Sequence, residues 1–187
     1  SVLSGVAYTV IWMWMLHPTA GLVNNFLDFI GINEPPRWLL DPDWALTALV
    51  MMSLWGVGRS MVIFLAGLQD IPESMHEAAM IDGATGWQRF WRITLPLLTP
   101  SILFNVLFGV ILTFQSFTSV FVATSGGPLD STLFYVMYLY RQAFTFLNMG
   151  YASAMAWVLF LIVLGLTVLI FLTSGKWVFY QGTEEGA

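Results

Sequence analysis

The sequence predicts an all-α, polytopic membrane helical bundle. Three observations carry this. Hydrophobic residues make up 58% of the chain and charged residues 9%, whereas about a quarter of an ordinary soluble domain is charged. Apolar runs approaching or exceeding the roughly 20 residues that cross a bilayer recur between short polar stretches. Aromatic residues reach 16%, with nine Trp, a residue that collects at membrane–water interfaces.

Residues 1–16 form the first expected span, with Trp12 and Trp14 near one end. Alone it is slightly short for a hydrocarbon core about 30 Å thick. Ser1 opens inside an apolar run with no positive segment before it, so the start does not read as a signal peptide. Residues 17–44 hold loop punctuation at His17-Pro18, Gly21, Gly31, Pro35-Pro36 and Asp41-Pro42. A short amphipathic helix fits Leu22 to Ile30, and Trp38 and Trp44 suit headgroup level.

The second span is expected over residues 45–68, about 36 Å at 1.5 Å per residue. Gly56, Gly58 and Gly67 mark places where a neighbouring helix can approach closely. Arg59 sits near the middle of this span. A mid-span Arg is costly unless paired or hydrated, so it is expected to face the bundle interior or a wet cavity.

Residues 69–96 are the longest polar helix-plus-turn stretch, held between two spans as a docking element for a soluble partner. Asp70 with Glu73 fits a capping box, and Pro72 suits a first turn. This helix is expected to run to Asp82 and end at Gly83. Thr85 with Gln88 fits a second capping box, opening a helix to about Arg92. Pro96 is expected to force Leu95 into an extended conformation and close the unit. Glu73 and Glu77 lie four apart on one helix face, which by itself reads as a solvated acidic surface.

The third span is expected over residues 97–122, with Pro100 in its first turn. Asn105, Gly109, Thr113 and Ser116 follow steps of four, four and three, which places them on one helical face. The stripe reads either as the lining of a polar path or as glue between helices. Thr124-Ser125-Gly126-Gly127-Pro128 is a break. Residues 131–147 read as a short interfacial helix, since Arg141, Gln142 and Asn148 interrupt their apolar run; a full crossing is the alternative. The last span covers residues 150–173, anchored by Lys176 and Trp177, before a polar tail from Gln181 that is expected to fray.

Several function classes are excluded. With no Cys there are no disulfides, thiolates or Cys metal sites. No glycine-rich phosphate loop with Lys is present, so the chain is not expected to handle ATP. His76-Glu77 lacks the second His of a metalloprotease helix. No catalytic set, metal site or bound cofactor is expected. The net charge of -5 comes with no basic patch for nucleic acid.

The docking loop resembles a known motif. Glu77, Ala78, Ala79, Gly83, Ile93, Leu95 and Pro96 fill every fixed position of the EAA motif of binding-protein-dependent ABC importer permeases. Asp82-Gly83-Ala84, Phe64 to Gln69 and Gly126-Gly127-Pro128 look like the carbohydrate-uptake branch, related to the maltose-transporter permeases. The resemblance covers essentially the whole chain. It implies one permease domain over residues 1–187, with about four spans visible of an expected six.

It further implies a multi-pass subunit of a bacterial or archaeal inner membrane, surrounded by lipid and catalysing no covalent reaction. Its partners would be a second permease, an ATPase dimer that uses ATP, and an extracytoplasmic solute-binding protein. Glu77, Ala78, Ala79, Asp82 and Gly83 would couple to the ATPase, with Glu77 meeting a basic residue there. Positions corresponding to Gly56, Arg59, Gly109, Thr113 and Ser116 lie around the sugar in maltose-type permeases, although several residue types differ here. Asn105 joins them through the stripe. Sugar or a sugar derivative is the expected solute. The rivals are a glycerophosphate-like solute, which Arg59 would suit, and a truncated, non-transporting scaffold that binds the ATPase. Arg89, Arg92 and Lys176 against Arg37 and Arg141 place the docking loop in the cytoplasm by a margin of one.

Overall fold

The structure, a computed structural model, describes residues 5–32 and 34–179. The first residues of the first expected span and the tail from Gln181 lie outside the described residues. Among the described residues every regular element is helical. In chain order they are α1 (Gly5–Met15), α2 (Leu22–Phe29), α3 (Pro42–Ser53), α4 (Val57–Gln69), α5 (Glu73–Ile81), α6 (Gly86–Arg89), α7 (Leu95–Leu97), α8 (Thr99–Phe114), α9 (Thr118–Ala123), α10 (Tyr135–Tyr140) and α11 (Met149–Ser174). A 3-10 turn, Leu54–Gly56, joins α3 to α4. Two π-helical turns, Phe90–Thr94 and Arg141–Thr145, follow α6 and α10.

Three helical stretches are long and apolar enough to cross a membrane: Pro42–Gln69, Thr99–Ala123 and Met149–Ser174, with mean hydropathies of 1.7, 1.9 and 2.9. In the last two only 6% of the apolar window is buried within the chain. Apolar helix surface left open on this scale belongs against lipid, where the helix satisfies its own backbone groups. The second stretch is not one straight helix. It breaks at Gln115–Phe117, where Ser116 N–H bonds Thr113 O at 3.2 Å.

The chain forms two compact units, one of residues up to Val57 with Thr113–Leu161, the other of Gly58–Leu112 with residues from Ile162 onward. The core of the first unit gathers Leu16, Trp38, Ala48, Leu49, Met52, Val120 and Met137. α9 packs on α1, with Gly5 facing Thr118. Val120 of α9 enters that core. Tyr8 donates its hydroxyl to Met52 O, tying α1 to α3.

The segment before α3 is fixed by a buried amide. Asn24 on α2 accepts from Trp38 Nε1 at 2.6 Å and donates to Pro18 O at 2.9 Å and Pro36 O at 3.3 Å. Trp38 in turn meets Trp44 edge to face at 5.4 Å. Asp41 caps α3 by accepting from Asp43 N at 3.0 Å, with Pro42 in the first turn.

A second polar cluster holds the loop after α9. Arg141 pairs with Asp130 at 2.7 Å and donates to Ser125 O at 2.7 Å. Gly126 has φ +89, and a Cβ there would lie 2.9 Å from Arg141 Nη2. Only glycine admits the guanidinium this close while keeping that backbone. The helical run after this loop has six residues in α10 and five in the π-turn. That is about 16 Å at α-helical rise, half of a hydrocarbon core.

Candidate coupling element and solute path

The docking stretch lies within the second unit. Pro72, extended at φ -61 and ψ 130, is the N-cap of α5 and supplies no side-chain cap. The expected Asp70–Glu73 capping box is not formed. Asp70 N–H bonds Ala66 O at 3.1 Å, so Asp70 still belongs to the end of α4, and Pro72 holds the chain out of helix between them.

The end of α5 follows expectation. Gly83 has φ +76, Gly83 N–H bonds Met80 O at 3.0 Å, and Ala84 N–H bonds Ala79 O at 2.9 Å. This is a Schellman end, whose left-handed residue is best supplied by glycine. Glu77, Ala78, Asp82 and Gly83 are exposed, Ala79 is half-buried, and Ile81 beside them is 87% exposed. A short helix that presents Glu73, Glu77, two alanines and a bare isoleucine offers a partner a small apolar surface flanked by carboxylates.

The second capping box is present. Thr85 N–H donates to Gln88 Oε1 at 2.9 Å and Gln88 N–H to Thr85 Oγ1 at 3.4 Å. Beyond it the structure corrects the expectation at Pro96. Leu95 is helical at φ -63 and ψ -46, and helix continues through α7 into α8. Proline removes a donor and crowds the carbonyl four residues back. The π-turn just upstream absorbs this: Leu95 N–H reaches back five residues to Phe90 O. The docking segment is therefore one helical rod with the following span, joined where Thr99 Oγ1 donates to Pro96 O. A proline inside helical spacing was the only local signal for the π-turn.

Of the glycines expected at close helix approaches, only Gly67 serves. A Cβ there would collide with Ser101 Oγ and stand 3.0 Å from Leu98 Cδ1, so α4 meets the start of α8 at this point. Gly56 and Gly58 have nothing near a Cβ position; Gly56 closes the 3-10 turn instead.

The expected path residues divide between the units. Arg59, Asn105 and Gly109 belong to one, Gly56, Thr113 and Ser116 to the other. Arg59 is exposed on α4 and has no hydrogen bond or ion pair among the described residues. Asn105 spends a donor on Ser101 O at 2.9 Å, within its own helix. Gly109 and Thr113 are exposed on α8. Ser116 is corrected: it lies in the break after α8, not on the helical face. Among the described residues no group of three His, Cys, Asp or Glu is arranged to hold a metal.

A long, lipid-facing helical bundle carrying a helix–glycine–helix element between two spans defines a transport-system membrane component. The chain belongs to the family of binding-protein-dependent transport system inner membrane components, whose model matches residues 1–175. It is 46% identical over 188 aligned residues to the probable ABC transporter permease protein YesP of Bacillus subtilis, covering 99% of this chain and 60% of that protein. It is 41% identical over 175 residues to the lactose transport system permease protein LacF of Rhizobium radiobacter, covering 91% of this chain and 58% of that one. The fold matches a chain of a bacterial ABC transporter involved in alginate import at TM-score 0.84 and 24% identity, over 94% of this chain and 62% of that one. The chain thus spans about three-fifths of the length of these relatives.

Proposed function

We propose that the chain is a permease subunit of an ABC importer, forming part of the path for a sugar or sugar derivative. The observation that carries this reading is the exposed α5 with its Schellman end at Gly83, fused through α7 to a membrane-length helix. A soluble ATPase that closes on ATP would push α5, and the continuous rod from α6 to α8 would carry the movement into the membrane. Such coupling needs contacts at Glu77, Ala78, Ala79, Asp82 and Gly83 that differ between the two states. ATP is used by a separate ATPase dimer; this chain binds no cofactor. A second permease completes the path, and a solute-binding protein delivers cargo from the far side.

The whole chain forms one permease domain of the inner membrane, with spans over about residues 1–16, 45–68, 97–122 and 150–173. The docking loop lies in the cytoplasm, and α10 lies at the opposite interface because it is too short to cross. Arg59, exposed on α4, is the candidate solute contact of one unit, and Thr113, exposed on α8, that of the other. An Arg donates several hydrogen bonds to hydroxyl-rich solutes without needing an anion. The family membership and the likeness to a lactose permease support the sugar reading over a scaffold.

The test is uptake by the reconstituted complex of a neutral oligosaccharide and of a glycerophosphate. Saturable, ATP-dependent uptake of the oligosaccharide, lowered by Thr113→Leu, is expected. Uptake of the anion alone, abolished by Arg59→Leu in an intact complex, would replace the sugar reading. No uptake of any solute by an assembled complex would favour the scaffold.

A further inference from the structure

The coupling stretch separates its charges. Asp70, Glu73, Glu77 and Asp82 all precede Gly83, whereas Arg89 and Arg92 follow it, and no Asp or Glu occurs between Gly83 and Leu129. Gly83 thus divides an acidic helix, α5, from a basic segment. That segment is also aromatic. Trp87, Phe90 and Trp91 form one cluster, with ring centroids 5.5 to 6.2 Å apart. All three are exposed, Trp87 at 71%. Among the described residues neither Arg forms an ion pair, and Arg89 Nε is buried with no hydrogen-bond partner.

We infer that the segment Gly86–Arg92 rests on anionic phospholipid headgroups of the leaflet it faces, with Trp87, Phe90 and Trp91 in the interface and Arg89 and Arg92 meeting the headgroup charge. Continuity with the membrane fixes the depth. From Gly86 to Phe114 the chain is helical almost without interruption, about 40 Å at 1.5 Å per residue, against a hydrocarbon core of about 30 Å. Trp91 lies six residues, about 9 Å, before the proposed span start at residue 97, which puts the aromatic cluster at headgroup level. Trp rings prefer that level, and nearby Arg gains from an anionic surface. The acidic α5 is repelled by the same surface and stands off it, free for another partner. The lipid anchor would hold the base of the coupling rod while α5 moves. The inference rests on the proposed orientation only for which leaflet is met.

The experiment uses the complete transporter in nanodiscs, and the same assembly stripped of its ATPase subunits. The chain has no Cys, so a nitroxide at Gly86→Cys reports one site; nothing lies within 4 Å of a Cβ at this position. A second probe sits at Ile81→Cys. In stripped assemblies, changing phosphatidylcholine to a mixture with phosphatidylglycerol should lower the accessibility of the Gly86→Cys probe to an aqueous nickel complex by about twofold. Arg89→Gln with Arg92→Gln should remove that difference, and Lys at both positions should keep it. Equal accessibility in the two lipids overturns the inference. So does shielding that appears only once ATPase subunits are present, since the patch would then be theirs. An Ile81→Cys probe that stays exposed with ATPase bound counts against the docking of α5, while a lipid-dependent Gly86→Cys signal still supports the anchor.

Discussion

Phe179 N–H donates to Thr99 Oγ1 at 2.9 Å, across a sequence separation of 80 residues. Thr99 is buried and its hydroxyl donates a hydrogen bond to Pro96 O. One hydroxyl thus ties the segment after the last span to the joint between coupling rod and membrane helix. Thr99→Val keeps the shape and removes the oxygen, leaving a backbone N–H and a carbonyl unsatisfied, at a cost of about 1–3 kcal/mol. We expect amide exchange at Phe179 to rise markedly, with Thr99→Ser restoring protection. Equal exchange in Thr99→Val and wild type would show that the tie is absent.

A Cβ on Gly67 of α4 would collide with Ser101 Oγ of α8. Gly67→Ala should destabilise the purified complex by about 1–3 kcal/mol, the usual range for overpacking. Combining it with Ser101→Gly should recover most of that loss, because the colliding atom is Ser101 Oγ. Thermal unfolding of the two single variants and the double variant measures the coupling; strict additivity would remove the proposed contact.

Asn24 is the polar hub of the segment that leads into α3. Asn24→Leu leaves Trp38 Nε1 and two carbonyl contacts without a partner, and should cost about 1–3 kcal/mol. The same substitution should shift Trp emission, since Trp38 is buried against it. A variant with unchanged melting and emission would contradict the hub.

Topology follows from the membrane-length stretch Thr99–Ala123. Leu129 is 90% exposed, and Leu129→Cys should react with an impermeant maleimide from the face opposite to Gln88→Cys. Both positions labelling from one face would mean that the stretch Thr99–Ala123 does not cross.

Which parts were legible in the sequence depends on how local their causes are. Gly83 and the Thr85–Gln88 box were readable because a left-handed residue and a reciprocal cap act within a few positions. Family and helical class were readable because seven motif positions and lipid-facing apolar runs leave few alternatives. Pro96 misled because the bias of a residue before proline away from helix is a preference, and here the helix on either side holds Leu95 at φ -63 and ψ -46. Asp70 misled because Pro72 hands it to the preceding helix. Ser116 left the stripe because α8 breaks after Phe114, where no proline or glycine marks the stop. The Arg141 clamp and the Thr99 tie join residues far apart in sequence, where no local pattern could place them.

The central claim is that α5 and its Schellman end transmit the ATPase stroke. Gly83→Pro is the sharpest probe, because proline cannot adopt φ +76 and lacks the N–H that bonds Met80 O. Glu77→Lys reverses one of the exposed carboxylates of α5. The measurement is ATP hydrolysis by the reconstituted complex, with and without its solute-loaded binding protein. We expect both variants to assemble, to retain basal hydrolysis, and to lose stimulation by the loaded binding protein. Full stimulation in an assembled Gly83→Pro complex would contradict the account.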